Sequence, residues 1–275
     1  MEIWRKYQGA LVPNIAPHCP IDLSKEEAKA LLKKHQAYFI RWPINFDQIN
    51  QSTFWYVIKD GESSIDELSS NTRSKIRRGL KKVEVKKITK NELINQGAYQ
   101  VYLAANESYN HYVSPMNEED FQKKIQSYVD DECDFWGVFL KEDNSLVAYS
   151  QNLISDKSCD YSIIKFHPLY LKHYLSYALF FEMNNYYLND LNFRYVNDGA
   201  RSIGHDTNIQ KFLIEKFKFR KAYCNLELYY SKKVKFAVVL LYPFRSIFYK
   251  LSFKLFKKIG ILLKQHEIYL NQNKG

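Results

Sequence analysis

Glycine is scarce, nine residues in a chain of 275. No two of them form a G-x-G, so the fingerprint that brings a backbone close to a dinucleotide pyrophosphate is absent. Gly199 and Gly204 have the outer spacing of a phosphate loop. His205-Asp206 follows them where lysine and a magnesium-binding hydroxyl are required, which excludes a nucleoside triphosphatase of that kind. The four cysteines, Cys19, Cys133, Cys159 and Cys224, are scattered, with no C-x-x-C and no histidine at ligand spacing. They read as small buried thiols in a reducing compartment, and no metal site is expected. Long apolar runs are missing too. Residues 236–244 (FAVVLLYPF) are apolar but fall far short of the roughly 20 residues that cross a bilayer. The N-terminus lacks a charged start followed by an apolar run, so no signal peptide is expected and the location reads as cytoplasmic.

What is present is an ordinary globular balance, 46% hydrophobic and 25% charged, with aromatics raised to 16%. Charge is unevenly placed. Residues 71–90 carry nine basic side chains against Glu84, and residues 231–275 carry ten against Glu267. The formal charge of +10 is therefore two basic segments on an acidic body. Such segments suit anionic partners: lipid headgroups, phosphates or RNA.

Ser24 and Glu27 fit a capping box for a helix with Ala28, Leu31 and Leu32 on one face. Residues 37–42 and 53–58 read as strands, and Asp60-Gly61 as a turn. Ser69 or Ser70 can cap a basic helix to about Lys82, with Ile76, Leu80 and Val83 inward, and residues 83–88 alternate as a strand. Two amphipathic helices follow, one around Ala98, Val101, Ala105 and Tyr109, the other around Phe121 and Ile125. Strands over 134–140, 146–154 and 160–166 then form a meander. Residues 175–188 read as a helix, 193–197 as a strand, 207–217 as a helix capped by Asp206, and 222–230 as a last strand. There is also an internal echo. Tyr56-Val57, Asp60-Gly61, Ser64-Ile65 and Thr72 match Tyr195-Val196, Asp198-Gly199, Ser202-Ile203 and Thr207, each set followed by a helix and a strand.

The order helix, helix, three-strand meander, helix, strand, helix, strand resembles the GNAT acyltransferase fold. The run Thr72-Arg73-Ser-Lys-Ile76-Arg77-Arg-Gly-Leu-Lys81 after a strand ending in Asp60 is similar to the Fem-type branch, the aminoacyltransferases of peptidoglycan bridges. The resemblance implies an α/β (α+β) fold, a GNAT-like mixed central sheet flanked by helices, in two tandem halves with the first truncated. The implied division is 1–91 for that half with its basic helix, 92–231 for the acyltransferase domain and 232–275 for a basic amphipathic tail. Where coenzyme A enzymes of the fold carry an Arg/Gln-x-x-Gly-x-Gly/Ala loop, this chain reads Leu169-Tyr-Leu-Lys172-His173-Tyr-Leu-Ser176-Tyr177-Ala178, without glycine. Lys172, His173, Ser176 and the amides of the following helix remain able to hold a phosphate. The donor therefore stays open between acyl-CoA, as a co-substrate rather than a resident cofactor, and aminoacyl-tRNA.

Amide formation needs a base for the amine and donors for the oxyanion. Asp198 and His205, between a strand and a helix, are the candidate bases, with Arg201 and Ser202 beside them for an anionic substrate group. The resemblance implies a strand amide near residues 163–165, beside Lys165, facing the acyl carbonyl. Tyr177 or Tyr223 can return a proton to the leaving group, and Tyr223 is also a substrate contact. Residues 217–224 alternate basic and aromatic side chains, as an RNA surface or a half-buried strand does. From Phe248 to Leu262 the tail has one apolar face among lysines, which suits an in-plane helix on anionic lipid or a last helix packed on the fold.

The expected activity is transfer of an acyl or aminoacyl group to an amine, a small molecule or a cell-envelope precursor, at the inner face of the membrane. The alternative is a non-catalytic GNAT-like module that binds RNA or anionic membrane through its basic segments.

Overall fold

The structure is a computed structural model and describes residues 3–7, 9–107, 114–203, 208–250 and 254–272, the side chains of 254 and 255 excepted. In chain order the elements begin with β1 (Trp4–Tyr7), β2 (Ala10–Pro13), α1 (Lys25–Lys34), β3 (Phe39–Ile44) and β4 (Phe54–Asp60). Then come α2 (Ser70–Lys82), β5 (Val83–Ile88), α3 (Lys90–Asn95), α4 (Ala98–Glu107) and α5 (Glu118–Gln126). The meander is β6 (Cys133–Leu140), β7 (Leu146–Ser155) and β8 (Ser158–Phe166). After it lie α6 (Leu175–Asn184), β9 (Tyr195–Ala200), α7 (Asn208–Phe217) and β10 (Arg220–Tyr230). The chain closes with α8 (Lys232–Leu241), α9 (Arg245–Lys250) and α10 (Lys254–Gln272).

Two compact units interleave along the chain. One comprises Met1–Val57, Ala200–Gln210 and Lys221–Gly275, the other Ile58–Gly199 and Lys211–Arg220. The first unit orders its strands β1-β2-β3-β10, with β2 and β3 parallel and β10 antiparallel to β3. On one face Ala28 and Leu32 of α1 meet Leu11, Ile40 and Trp42; α1 opens with the capping box of Ser24 and Glu27. On the other face Leu262 of α10 joins a cluster with Val12, Phe39 and Leu228, and Ile268 packs with Phe54, Cys224 and Leu226. The final helix is thus a layer of this unit, with Leu263, Gln265 and Ile268 buried.

Leu226 stands opposite Pro43 in the β3–β10 pair. Its N–H donates to Gln272 Oε1 and its carbonyl accepts from Gln272 Nε2, both at 2.7 Å. Both polar groups of Leu226 are thereby turned away from β3. The missing N–H of Pro43 falls at a non-hydrogen-bonded pair, where a proline is tolerated.

The second unit orders its strands β9-β8-β7-β6-β5, antiparallel except for the parallel pair β8–β9. The helices α3, α4 and α5 cover one face through Leu93, Val101, Phe121 and Ile125, packed on Phe135, Phe139 and Tyr149. In the same unit α2 packs on α6. Its buried positions Thr72, Ile76 and Gly79 form a narrow stripe, and Leu80, expected inward, is only half-buried. Gly79 makes the close approach. A Cβ there would stand 3.0 Å from the Tyr174 carbonyl oxygen and 3.3 Å from Ala178 Cβ.

The helix expected over 175–188 changes type part-way. α6 continues as a π-helical turn over Asn185–Asp190, an insertion that rotates Tyr187 inward. Its ring is fully buried and its hydroxyl donates to Asp134 Oδ2 at 2.9 Å. The Tyr187 hydroxyl oxygen in turn accepts from Trp136 Nε1 at 2.9 Å and Asn152 Nδ2 at 3.2 Å. Lys87 closes the network with a 2.6 Å ion pair to Asp134 Oδ1. Removing this hydroxyl would strand a buried carboxylate oxygen and two donors. Tyr187→Phe should therefore lower stability by at least about 3 kcal/mol, at about 1–3 kcal/mol per buried group left unpaired. Urea unfolding followed by tryptophan fluorescence checks this, and a wild-type midpoint would refute the network's role.

Candidate functional site

The parallel strands β8 and β9 pair only at Ser158–Tyr195, Cys159–Val196 and Asp160–Asn197. β8 then runs on to Phe166 with β7 on its other side, paired as far as Ala148 opposite Phe166. Beyond Asp160, the β9-facing edge of β8 has no strand partner among the described residues. Backbone amides on such an edge must find another acceptor, which makes them available to a bound carbonyl.

Asn197 holds the point where pairing stops. Buried at the end of the paired stretch, it donates from Nδ2 to the Cys159 carbonyl at 3.1 Å and accepts from the Gly199 N–H at 2.9 Å. Gly199 has φ +78°, a conformation that glycine adopts without a steric penalty. Asp198 lies between them, half-buried, at the start of the unpaired stretch. It is close enough to help raise the pKa of Tyr161, after the dominant effect of burial and that of Cys159.

On β8 the register shifts opposite the stretch of β7 between Gln151 and Leu153, a bulge of the kind that re-aims side chains. Tyr161 donates to Asn184 Oδ1 of α6 at 2.8 Å. Lys165 instead reaches α4, donating to Asn106 Oδ1 at 3.1 Å and lying 5.7 Å from the Tyr102 ring centre. Burial lowers the Lys165 pKa, with a smaller push from Lys124.

The approach to α6 is a 3-10 segment, Pro168–His173, ending at Tyr174. Tyr174 takes φ 58° and ψ 37°, so the left-handed turn expected of glycine is made here by a tyrosine. The cost of such a turn for a non-glycine residue is about 1–2 kcal/mol. Arg78 of α2 lies over the Tyr174 ring at 4.8 Å, and Lys75 lies over the Tyr177 ring at 5.2 Å with Nζ 3.4 Å from its hydroxyl. Tyr177 is otherwise packed on Phe212 and Phe217 of α7. No side chain caps α6, so its first amides, Lys75 and Arg78 combine their positive fields. Lys172 is exposed, whereas His173 and Ser176 are half-buried beside this end.

In the other unit Arg201 rests on Trp55. Its Cζ is 4.4 Å from the indole centre, its N–H donates to the Trp55 carbonyl at 2.8 Å, and Nη1 donates to the Thr53 carbonyl at 2.6 Å. Lys221 Nζ lies 4.2 Å from the same ring centre, and Tyr223 meets it edge-on at 6.2 Å. Neither cation has a carboxylate partner among the described residues. Arg201 Nε is buried without a hydrogen bond, and burial lowers the guanidinium pKa. Two cations on one aromatic ring repel each other, and an anion between them relieves that repulsion.

The predicted residues thus fall into separate groups. Arg201 and Tyr223 gather at Trp55, with Ser202 next in sequence. Lys172, His173, Ser176 and Tyr177 gather at the start of α6. Asp198 lies where β8 and β9 stop pairing, while the Lys165 side chain turns away to α4. His205 and Asp206 lie outside the described residues. The sequence reading passed over Trp55, Lys221, Lys75, Arg78 and Asn197. With Ile76, Leu80 and Val83 read as inward, the sequence pattern leaves Lys75 and Arg78 on the outer face of a basic helix. The signal missed is their shared i, i+3 spacing with Tyr174 and Tyr177, which lets two cations cover two rings on crossing helices.

Asn197→Asp keeps the acceptor for Gly199 but loses the donor to Cys159 and introduces a buried charge. It should cost about 1–3 kcal/mol, and chemical denaturation measures it; unchanged stability would remove Asn197 from this role.

No family model matches the sequence, and a search of curated proteins finds no match. Solved structures do match. FemX aligns over 86% of this chain and 85% of its own with a TM-score of 0.55 and 10% identity. The C-terminal domain (DUF2156) of an Agrobacterium fabrum protein assigned as a lysylphosphatidylglycerol synthetase aligns over 86% and 83%, with a TM-score of 0.50 and 10% identity. The chain thus shares its fold with these structures, and the element order of its second unit is the GNAT-like mixed sheet flanked by helices.

Proposed function

We propose that the protein transfers an acyl or aminoacyl group to an amine, forming an amide on a small molecule or a cell-envelope precursor at the inner face of the membrane. The observation that carries this reading is the early end of β8–β9 pairing. It leaves amides near residues 163–165 unpaired by β9, with Asp198 at the start of the gap. In this reading the donor's carbonyl accepts from one of those amides. Negative charge develops on that oxygen as the amine attacks, and a fixed N–H stabilises it more than it does the ground state. Asp198 takes the amine proton. The new C–N bond forms as the bond to the leaving thiol or hydroxyl breaks, and Tyr177, beside the Lys75 ammonium, returns a proton to that group.

Both candidate donors carry phosphates, and the positive end of α6 with Lys75 and Arg78 suits either one. The absence of glycine before α6 favours aminoacyl-tRNA over coenzyme A, and the lysyl group named in the Agrobacterium protein's assignment supports aminoacyl transfer. Within the first unit, Arg201 on Trp55 suits a carboxylate or phosphate group, held by the planar two-pronged contact that arginine makes best. The other reading, a non-catalytic module for RNA or membrane, draws on Arg77, Lys81 and Lys82, which remain exposed on α2.

Purified protein supplied with aminoacyl-tRNA or acyl-CoA and a panel of amines should form amide with one donor class. Asp198→Asn should then lower kcat by roughly 10²–10⁴-fold, the usual contribution of a positioned base. Turnover by Asp198→Asn at the wild-type rate would remove the base. Tight binding of RNA with no transfer from either donor would favour the non-catalytic module.

A further inference from the structure

The C-terminal helices carry a feature that chemistry in the second unit does not use. On α8, Phe236, Val239 and Leu240 share one helical face at i, i+3, i+4 spacing, and Phe244 and Ile247 continue the row into α9. All five are exposed, from 54% at Ile247 to 72% at Phe236. The opposite side of the same segment is tied down. Val238 is buried, Tyr242 meets the His266 ring edge-on at 5.2 Å, and Arg245 and Tyr249 both bond Glu267 of α10, at 2.8 and 3.0 Å. The apolar row therefore faces outward because its own unit holds the segment from behind.

The charge around the row has one sign. Lys232, Lys233 and Lys235 are exposed on the first turn of α8, and Lys250 is exposed at the end of α9. None has an acidic partner among the described residues. Glu267 is the one acidic residue between 231 and 275, and Arg245 and Tyr249 already occupy it. By helical angle Lys232 and Lys233 lie on the same side as Phe236 and Leu240, so their stems can run along the apolar row with the ammonium groups beyond it. The sequence pattern offers Phe248, Leu251, Leu255, Ile259 and Leu262 as an apolar face for lipid or for packing on the fold, and the side chains of Leu251 and Leu255 lie outside the described residues. In the structure Leu262 packs on the sheet, Phe248 and Ile259 are half-buried, and the exposed row lies further N-terminal.

We infer that α8 and α9 form an in-plane docking face for an anionic lipid surface, with Phe236, Leu240 and Phe244 entering the headgroup–acyl boundary while Lys232, Lys233, Lys235 and Lys250 meet the headgroups. An apolar row without charge would serve a second protein equally well. A lysine cluster without an apolar row would serve a nucleic acid. The two together on one short amphipathic segment match the chemistry of an anionic bilayer surface. No helix among the described residues is long and apolar enough to cross a membrane, so the contact lies in the plane. The inference extends the idea of an envelope-precursor acceptor without depending on it, because vesicle binding is measured without turnover.

The test is co-sedimentation of the full chain with phosphatidylcholine vesicles, with and without phosphatidylglycerol. Wild type should sediment with the anionic vesicles and be released by salt. Phe236→Asp with Phe244→Asp alters exposed positions only and should abolish sedimentation while the melting curve stays unchanged. Replacing Lys232, Lys233 and Lys235 by glutamate should weaken it by at least about 100-fold, since each lysine near such a surface contributes roughly 1 kcal/mol. Wild type left in the supernatant with anionic vesicles would overturn the inference. So would either variant binding as wild type does. A concentration-dependent dimer that the aspartate pair makes monomeric, without vesicle binding, would reassign the face to a second copy of the chain.

Discussion

Asp134 is a carboxylate taken almost wholly out of water, and much of the second unit is arranged around keeping it satisfied. Lys87 from β5, Tyr187 from the π turn and, through that hydroxyl, Trp136 and Asn152 from β6 and β7 all converge on it. Burying such a group is unfavourable unless every partner is present, so its main effect is to select one arrangement. One extra residue in the last turn of α6 brings Tyr187 into place. Fixing that end fixes the register of the whole helix, and hence where Tyr174 and Tyr177 emerge beside Lys75 and Arg78. Apolar packing alone would not do this. α6 is buried at Leu175, Leu179, Phe180 and Met183, and a helix apolar on nearly all sides has no single face to define its rotation.

The same unit shows how a sheet can be stable and still leave backbone available. β8 is held along its full length by β7, so it does not need β9 to stay in place. Asn197 supplies with its side chain a bond to Cys159 near the last paired position, and that allows the ladder to stop abruptly rather than fray. The strand after α2, β5, pairs with β6 in this unit, whereas β10, the strand after α7, pairs with β3 in the other. The two strand–helix–strand segments that echo each other in sequence therefore end in different units.

Where local chemistry dictates structure, the sequence was informative. The Ser24 capping box, the helix over 70–82 with Ser69 as its cap, and the strand over 83–88 are all present, as is the meander to within two residues at each strand end. Elements that depend on distant partners were not legible. β1 is four residues with three exposed side chains, and only its register with β2 makes it a strand. Nothing in Asn185-Tyr-Tyr-Leu-Asn-Asp190 signals a π turn, since the reason for it is Asp134, more than fifty positions earlier in the chain. The pairing of Arg201 with Trp55 joins residues 146 apart, and composition near either one does not reveal the other. Asp198 and Arg201 stand out in the sequence because Asp-Gly and a strand-to-helix loop are local signals, whereas their surroundings do not.

Gln272 gives Leu226 both a donor and an acceptor through one carboxamide, the two bonds that a residue of a neighbouring strand would otherwise supply. A side chain in the last helical turn thus serves as a single rung of sheet. The core of the first unit consequently depends on a side chain in the last turn of α10. Losing the Gln272 carboxamide would expose two backbone groups at the centre of a strand to water or to a foreign edge.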